Sequence, residues 1–303
     1  MKKFILGLGA QRAGSTFLFH TLTKFKYSAR PLLKEMHIWD ALEMEICKKW
    51  RIYNPEFLTF SNKALLKKLI KNDEIDNINR ALLIKGTRME FQNNPDRYFD
   101  YFNFLLNSQN KEITFDITPE YIGLKDQTLK MIDDRFKKIN IDCKFILIIR
   151  DPVDRCWSAV KSRRKKSGLY ALDQIKYHQL IESVDTETNI NESMLKYVKS
   201  DDAKFRTNYK KIIEILKKNF DSQKYLVLFY DDIRNGTFIQ KLRQFLQIDI
   251  DNSYIKQKIN PSTSEKLDEN LIREIAPMFQ DIYEYCANEY PLSKDYWRGY
   301  KYL

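Results

Sequence analysis

The sequence has little of what builds metal or redox centres. Its four cysteines, Cys47, Cys143, Cys156 and Cys286, form no C-x-x-C pair. No Cys/His cluster has zinc-ligand spacing, so a zinc scaffold is excluded and no structural metal is expected. Thiols used in this way fit buried side chains in a reducing compartment. No apolar run approaches the roughly 18 residues of a membrane-spanning helix, which excludes a helical membrane protein. Internal repeats and long Pro/Gly/Ser linkers are also missing, so one domain is expected over residues 1–303. The N-terminus, MKKFILGLGA, has two lysines before apolar residues, as a signal peptide does. Its apolar part is too short and runs straight into a glycine loop. It reads instead as the first strand of a soluble, cytoplasmic protein.

Hydrophobic residues make up 43% of the chain, enough for a sizeable core. Lys and Arg number 52 against 41 Asp and Glu, a net charge of +11. That balance favours anionic partners or a solvated, lysine-rich face. Short apolar runs recur at Phe4–Leu8 (FILGL), Ile113–Phe115, Lys144–Ile149 (KFILII) and Tyr225–Tyr230 (YLVLFY). Each reads as a buried strand, and helical periodicity fills the intervals, as in Tyr209–Phe220 and Phe238–Leu246. The alternation predicts an α/β fold: P-loop-like, three layers, with a central parallel sheet flanked by helices.

The first run leads into GAQRAGST, Gly9 to Thr16. Its spacing is nearly that of a phosphate-binding P-loop, but Ser15 stands where that loop has lysine, and Arg12 lies inside it. Glycines after a strand let backbone N–H groups point at an anion, and the following helix N-terminus adds positive potential. A structural turn explains the glycines equally well. The KFILII strand ends in Arg150-Asp151-Pro152, where Asp151 suits an N-cap and Pro152 a first helical turn. Kinases place an acid at such a strand end to hold Mg²⁺. Here an arginine stands instead. Two anion sites and no evident metal site suit a nucleotide with two separate phosphate groups and metal-free transfer.

These residues resemble the sulfotransferases that use 3′-phosphoadenosine 5′-phosphosulfate (PAPS). GAQRAGSTFL looks like their 5′-phosphosulfate loop, and IIRDPVDRCWSAV is similar to their 3′-phosphate motif. PLLKEMHIWD, FDITPEYI and LVLFYDDI, with the amphipathic FIQKLRQFLQI after it, resemble segments of the carbohydrate (heparan sulfate-type) branch. The matches come in the family's order and cover most of residues 3 to 250. The resemblance implies PAPS as donor, 3′,5′-ADP (PAP) as product, no metal, and a saccharide hydroxyl or amine as acceptor, in keeping with an acidic glycan. It implies that Arg12 and the backbone N–H groups of Ala13, Gly14, Ser15, Thr16 and Phe17 hold the 5′-phosphosulfate. Arg150 and Ser158 would hold the 3′-phosphate, Glu35 would be the general base, and His37 is a second catalytic candidate.

Other residues are weighed against plainer roles. Trp157 reads as core packing, Arg155 as a structural ion-pair partner and His20 as a core histidine. Where the family carries a lysine before Thr-Pro, this chain has Ile117. Lys85, in IKGTR, is a candidate substitute from another strand end. Lys258, in KQKINPSTSEKL, is the candidate that closes over the 3′-phosphate. The basic run KSRRKKSG, Lys161 to Gly168, suits a solvated face or a grip on an acidic acceptor, and no nucleic-acid-binding pattern accompanies it. Two rival functions remain: a degenerate P-loop kinase, and a non-catalytic anion-binding protein of the same fold.

Overall fold

The computed structural model describes residues 1–52, 75–172, 189–248 and 267–303, with side chains described for all of these except 75–82 and 165–172. Four strands form one sheet: β1 (Lys2–Gly9), β2 (Ile113–Ile117), β3 (Ile141–Ile149) and β4 (Tyr225–Phe229). Their order is β2-β1-β3-β4, and every pairing is parallel. This is the expected α/β architecture. All four predicted runs are strands, and Phe238–Leu246 is the predicted helix.

The strands are apolar on both sides because both faces are covered. Phe4 stacks on Phe136 at 4.1 Å between ring centroids and meets Phe102 at 4.7 Å. Those rings come from the helices Asp126–Lys138 and Asp96–Ser108. Phe115, in register with Ile5, lies on the opposite face. It meets Phe19 of the helix Ser15–Lys24 at 5.5 Å. The four cysteines are free thiols, all buried. Among the described residues, no helix is long and apolar enough to cross a membrane.

The chain leaves β1 toward β2 on one side, then crosses to β3 on the other side of β1. The crevice between the carboxyl ends of β1 and β3 is therefore the switch point where open α/β sheets bind ligands. The loop after β1 and Arg150 after β3 both open there.

At the other end of the sheet, ion pairs close the structure. Lys224 Nζ donates to Asp133 at 2.8 Å and Asp142 at 2.9 Å, and Lys144 lies 3.1 Å from Asp142.

Candidate functional site

The loop after β1 is shaped by its two glycines. Gly9 (φ 118°) and Gly14 (φ 112°) adopt backbone that L side chains resist. A Cβ on Gly9 would lie 2.6 Å from the Pro119 carbonyl, and one on Gly14 2.6 Å from Ile233 Cδ1. Gly14 caps the helix that begins at Ser15. The N–H groups of Ser15, Thr16 and Phe17 have no carbonyl to bond within the helix, so they are donors for an anion. Ala13 differs from the expectation: its N–H already donates to the Ala10 carbonyl at 3.2 Å.

Arg12 takes a left-handed conformation (φ 68°), at a cost of order 1 kcal/mol. Burial pulls its guanidinium below the usual arginine range, with Arg206 and Arg163 pulling the same way. Tyr197 and Glu35 act against them. Arg12 is thus a half-buried cation whose desolvation an anionic ligand would relieve.

Arg150 reaches the same loop. Its guanidinium donates to the Arg12 carbonyl at 3.0 Å and lies 4.1 Å from the centre of the Tyr230 ring. Asp151 caps the helix Pro152–Leu172 as expected, accepting from the Val153 N–H at 2.9 Å. It also accepts from Tyr283 Oη (2.7 Å) and the Gly299 N–H (2.9 Å), so the C-terminal segment docks on this turn. Arg298 adds an ion pair to Asp154. Ser158 is half-buried on the same helix, two turns on. Lys258 lies outside the described residues.

Trp157 is buried, the core role expected of it. Arg155 is fully buried, but its described partners are the Tyr197 hydroxyl, the Ala203 carbonyl and the Cys156 thiol, rather than a carboxylate. His20 is exposed, not a core histidine: its helix turns that face outward, where its ring meets the edge of Phe19. In the basic run, Arg163 pairs with Asp202 at 2.7 Å and Arg164 reaches Ser193 at 3.4 Å. These two are fastened to the fold, unlike a freely solvated face.

Glu35 and His37 sit on an extended loop with a tight turn at His37 (φ 55°). The Glu35 side chain is 30% exposed, while the His37 side chain is fully buried. His37 Nδ1 lies 2.7 Å from Asp40 Oδ2, and its ring stacks on Trp50 at 3.8 Å. Its Nε2 is 3.5 Å from Glu35 Oε2, too far for a good hydrogen bond. Burial alone would raise the Glu35 carboxyl, but His37 and Lys34 outweigh it and hold it at about 2. Burial would lower His37, but Asp40 and Glu35 raise it to about 9. At neutral pH the pair is a carboxylate backed by an imidazolium.

Several residues that hold this loop were given no role in the sequence reading. Arg88 donates to the Glu35 carbonyl at 2.8 Å and the Met36 carbonyl at 3.0 Å. Gln92 donates to the His37 carbonyl at 2.9 Å. Thr118 accepts from the Met36 N–H at 2.9 Å. Asp116 accepts from Thr118 (2.7 Å), Tyr121 (2.8 Å) and Tyr98 (2.9 Å). Glu120, one residue beyond Thr-Pro, points toward His37 and pairs with Arg206 at 2.7 Å.

Ile117 is a core residue at the end of β2, filling the space that Gly7 leaves open in β1. Lys85 lies on the helix Ile75–Asn93, not at a strand end, so the expectation of a strand-end substitute fails.

With this geometry in place, comparison with known proteins adds one match that carries weight. The sulfotransferase from Alicyclobacillus acidocaldarius superposes with a TM-score of 0.52 at 15% identity, covering 95% of each chain. The chain has a sulfotransferase fold. The sulfotransferase domain from the curacin biosynthetic pathway is similar at a TM-score of 0.45 and 15% identity, over 86% of this chain and 79% of that one. The sulfotransferase domain of the Synechococcus PCC 7002 olefin synthase has a TM-score of 0.40 and 16% identity, over 85% and 78%. No family model and no curated protein matches the sequence. On this fold, Arg12 and Arg150 meet at the carboxyl ends of β1 and β3, and the Glu35 loop is fastened to Asp116 and Thr118 at the end of β2.

Proposed function

We propose that the chain is a PAPS-dependent sulfotransferase acting on a hydroxyl or amine, with a saccharide as the favoured acceptor class. The observation that carries this reading is the meeting of three features at one crevice: a lysine-free glycine loop, two arginines joined by the Arg150–Arg12 contact, and an accessible carboxylate in electrostatic reach of Arg12. The sulfotransferase fold supports it. A saccharide acceptor is supported by the likeness of the Glu35 segment to carbohydrate enzymes and by the basic charge.

In this mechanism the 5′-phosphosulfate lies on the N–H groups of Ser15, Thr16 and Phe17, with Arg12 beside it. Arg150 and Ser158 take the 3′-phosphate. The acceptor oxygen or nitrogen attacks sulfur in line as the bond from sulfur to the bridging phosphate oxygen breaks. The electron pair leaves with 3′,5′-ADP, and the acceptor proton goes to Glu35. A carboxylate held near 2 is a weak base toward a free hydroxyl. The proton therefore moves as the new S–O or S–N bond forms, when the attacking atom becomes acidic. His37 is fully buried and lies behind Glu35, so it orients the base and does not touch the acceptor. Charge growing on the sulfuryl oxygens and the leaving phosphate meets preorganised N–H groups and Arg12.

Nucleotide binding tests this reading. 3′,5′-ADP without metal is expected to raise the melting temperature more than ATP with Mg²⁺ does. Stronger stabilisation by ATP with Mg²⁺ would favour the kinase alternative. Arg150→Ala should weaken 3′,5′-ADP far more than 5′-AMP, and equal losses would remove Arg150 from the 3′-phosphate site.

A further inference from the structure

Glu35 and two neighbouring side chains, His37 and Glu120, each bring one possible ligand atom close together. A donor atom from each of Glu35, His37 and Glu120 lies within 4.8 Å of the other two. The far side of each residue is fastened. Lys34 pairs with Glu35 Oε1, Asp40 faces His37 Nδ1 at 2.7 Å, and Arg206 donates to Glu120 Oε1 at 2.7 Å, with Gln11 at 3.4 Å. The atoms left over are Glu35 Oε2, His37 Nε2 and Glu120 Oε2. Among the described residues, the last two are buried without a hydrogen-bond partner, on side chains that are 0% and 4% exposed. Leaving buried polar atoms unmatched is unfavourable, so a ligand that meets both is favoured there.

We propose that Glu35 Oε2, His37 Nε2 and Glu120 Oε2 form a binding site for one first-row divalent cation such as Zn²⁺. A histidine whose Nδ1 faces a carboxylate while Nε2 is free is the arrangement that outer partners impose on metal-binding imidazoles. One imidazole with two carboxylates suits zinc and its neighbours better than Mg²⁺ or Ca²⁺, which prefer oxygen alone. Bonds of about 2.0–2.2 Å require the three atoms to close by about 1 Å, which the half-exposed Glu35 side chain allows. Lys34, Arg206 and Arg12 oppose a dication, so binding is expected to be weaker than at a dedicated structural zinc site. The metal takes the place of a proton on Nε2. The expectation of no metal rested on cysteine and histidine spacing, on Arg150 standing where an acid would hold Mg²⁺, and on the family resemblance. Glu120 had no part in it.

The site has a consequence for turnover, which rests on the base role proposed for Glu35. A cation on Oε2 ties up the carboxylate that would take the acceptor proton, so Zn²⁺ is expected to inhibit transfer reversibly. The binding itself does not depend on that reading.

Titration calorimetry of the full chain with Zn²⁺ alone, without nucleotide or acceptor, tests the site. One zinc per chain is expected, with little heat from Mg²⁺. His37→Gln and Glu120→Gln should each weaken zinc at least about tenfold, and Asp40→Asn by about 10- to 100-fold. Near-UV circular dichroism checks that each variant folds. Glu120→Gln keeps an oxygen for Arg206 and serves if His37→Gln does not fold. Equal zinc affinity in wild type and the folded variants, meaning an adventitious ion only, would overturn the site. No zinc binding while 3′,5′-ADP still stabilises the chain would also overturn it and leave the donor reading standing. Zinc binding without any response to 3′,5′-ADP would leave the metal site standing and count against the donor reading.

Discussion

The glycine loop proposed to hold the donor and the Glu35 loop proposed to carry the base are built in opposite ways. Gly9 to Thr16 is shaped from within. Two positive-φ glycines, a short span and the start of a helix set its N–H groups, and Arg150 reaches in from outside to the Arg12 carbonyl. Lys34 to Asp40 contains no glycine, yet turns at His37 with φ 55°. Its shape is imposed by side chains far away in sequence: Arg88, Gln92, Asp116, Thr118 and Tyr121. A pocket for a phosphate needs backbone donors, which a local motif supplies. A base needs one carboxylate aimed at one point, and that takes support from several elements.

The largest expected effect separates chemistry from binding. Glu35→Gln should lower transfer by about 10²–10⁴-fold, the usual contribution of a positioned base. Binding of 3′,5′-ADP, which depends on the other loop, should stay within about twofold. The check is turnover measured beside calorimetry. Turnover near the wild-type value would remove Glu35 from the base role, and a matching loss of nucleotide affinity would mean the two loops are not separable.

The next effect lies under the base loop. Asp116 is fully buried, and burial raises its carboxyl to about 6, although Thr118, Tyr121, Tyr98 and the Met36 N–H pull it back. The reference value is 3.8. Because the folded value is the higher one, the folded state holds the proton more tightly. That contribution to stability is fully present below pH 3.8 and lost as pH rises through about 6. A separation of about two pH units corresponds to about 3 kcal/mol. Asp116→Asn removes the ionisation, so its stability relative to wild type should improve between pH 4.5 and pH 7.5. Urea unfolding at both values reads the difference. An identical pH dependence in the two proteins would mean that Asp116 does not carry this charge.

Arg88 tests whether the remote support matters to chemistry. Arg88→Met removes both of its hydrogen bonds to the Glu35 and Met36 carbonyls, a loss of about 2 kcal/mol for a half-buried pair. Turnover is expected to fall by tens of fold with 3′,5′-ADP affinity unchanged. Unchanged turnover would show that the loop holds its shape without this clamp.

The same contrast explains what the sequence made legible. Strand runs and the GAQRAGST loop are local patterns, so the sheet, the helix at Ser15 and the capping role of Asp151 could be read directly. Glu35 was reached only through the likeness of its segment to a known family, because a lone Lys-Glu pair looks like surface charge. Arg88, Asp116 and Glu120 were missed because their roles depend on contacts about 50 to 90 residues away in the chain. Asp116 and Glu120 were within view, inside FDITPEYI, but periodicity does not say which polar side chains are buried. His20 was misjudged for a related reason: apolar neighbours along a helix do not fix which face turns inward.

The smallest expected effect returns to the donor loop. At Gly14 an added Cβ meets φ 112° and would lie 2.6 Å from Ile233 Cδ1, the mobile end of a side chain. The conformational cost of Gly14→Ala is about 1–2 kcal/mol, and Ile233 can shift to relieve the contact. Because Gly14 precedes the N–H groups of Ser15 and Thr16, a small rotation there tilts the donors. 3′,5′-ADP affinity should fall by about 5- to 30-fold. Turnover at saturating donor should change little, because the base loop does not share this strain. A fall in turnover as large as that in affinity would show that the two loops move together, and the separation between them would fail.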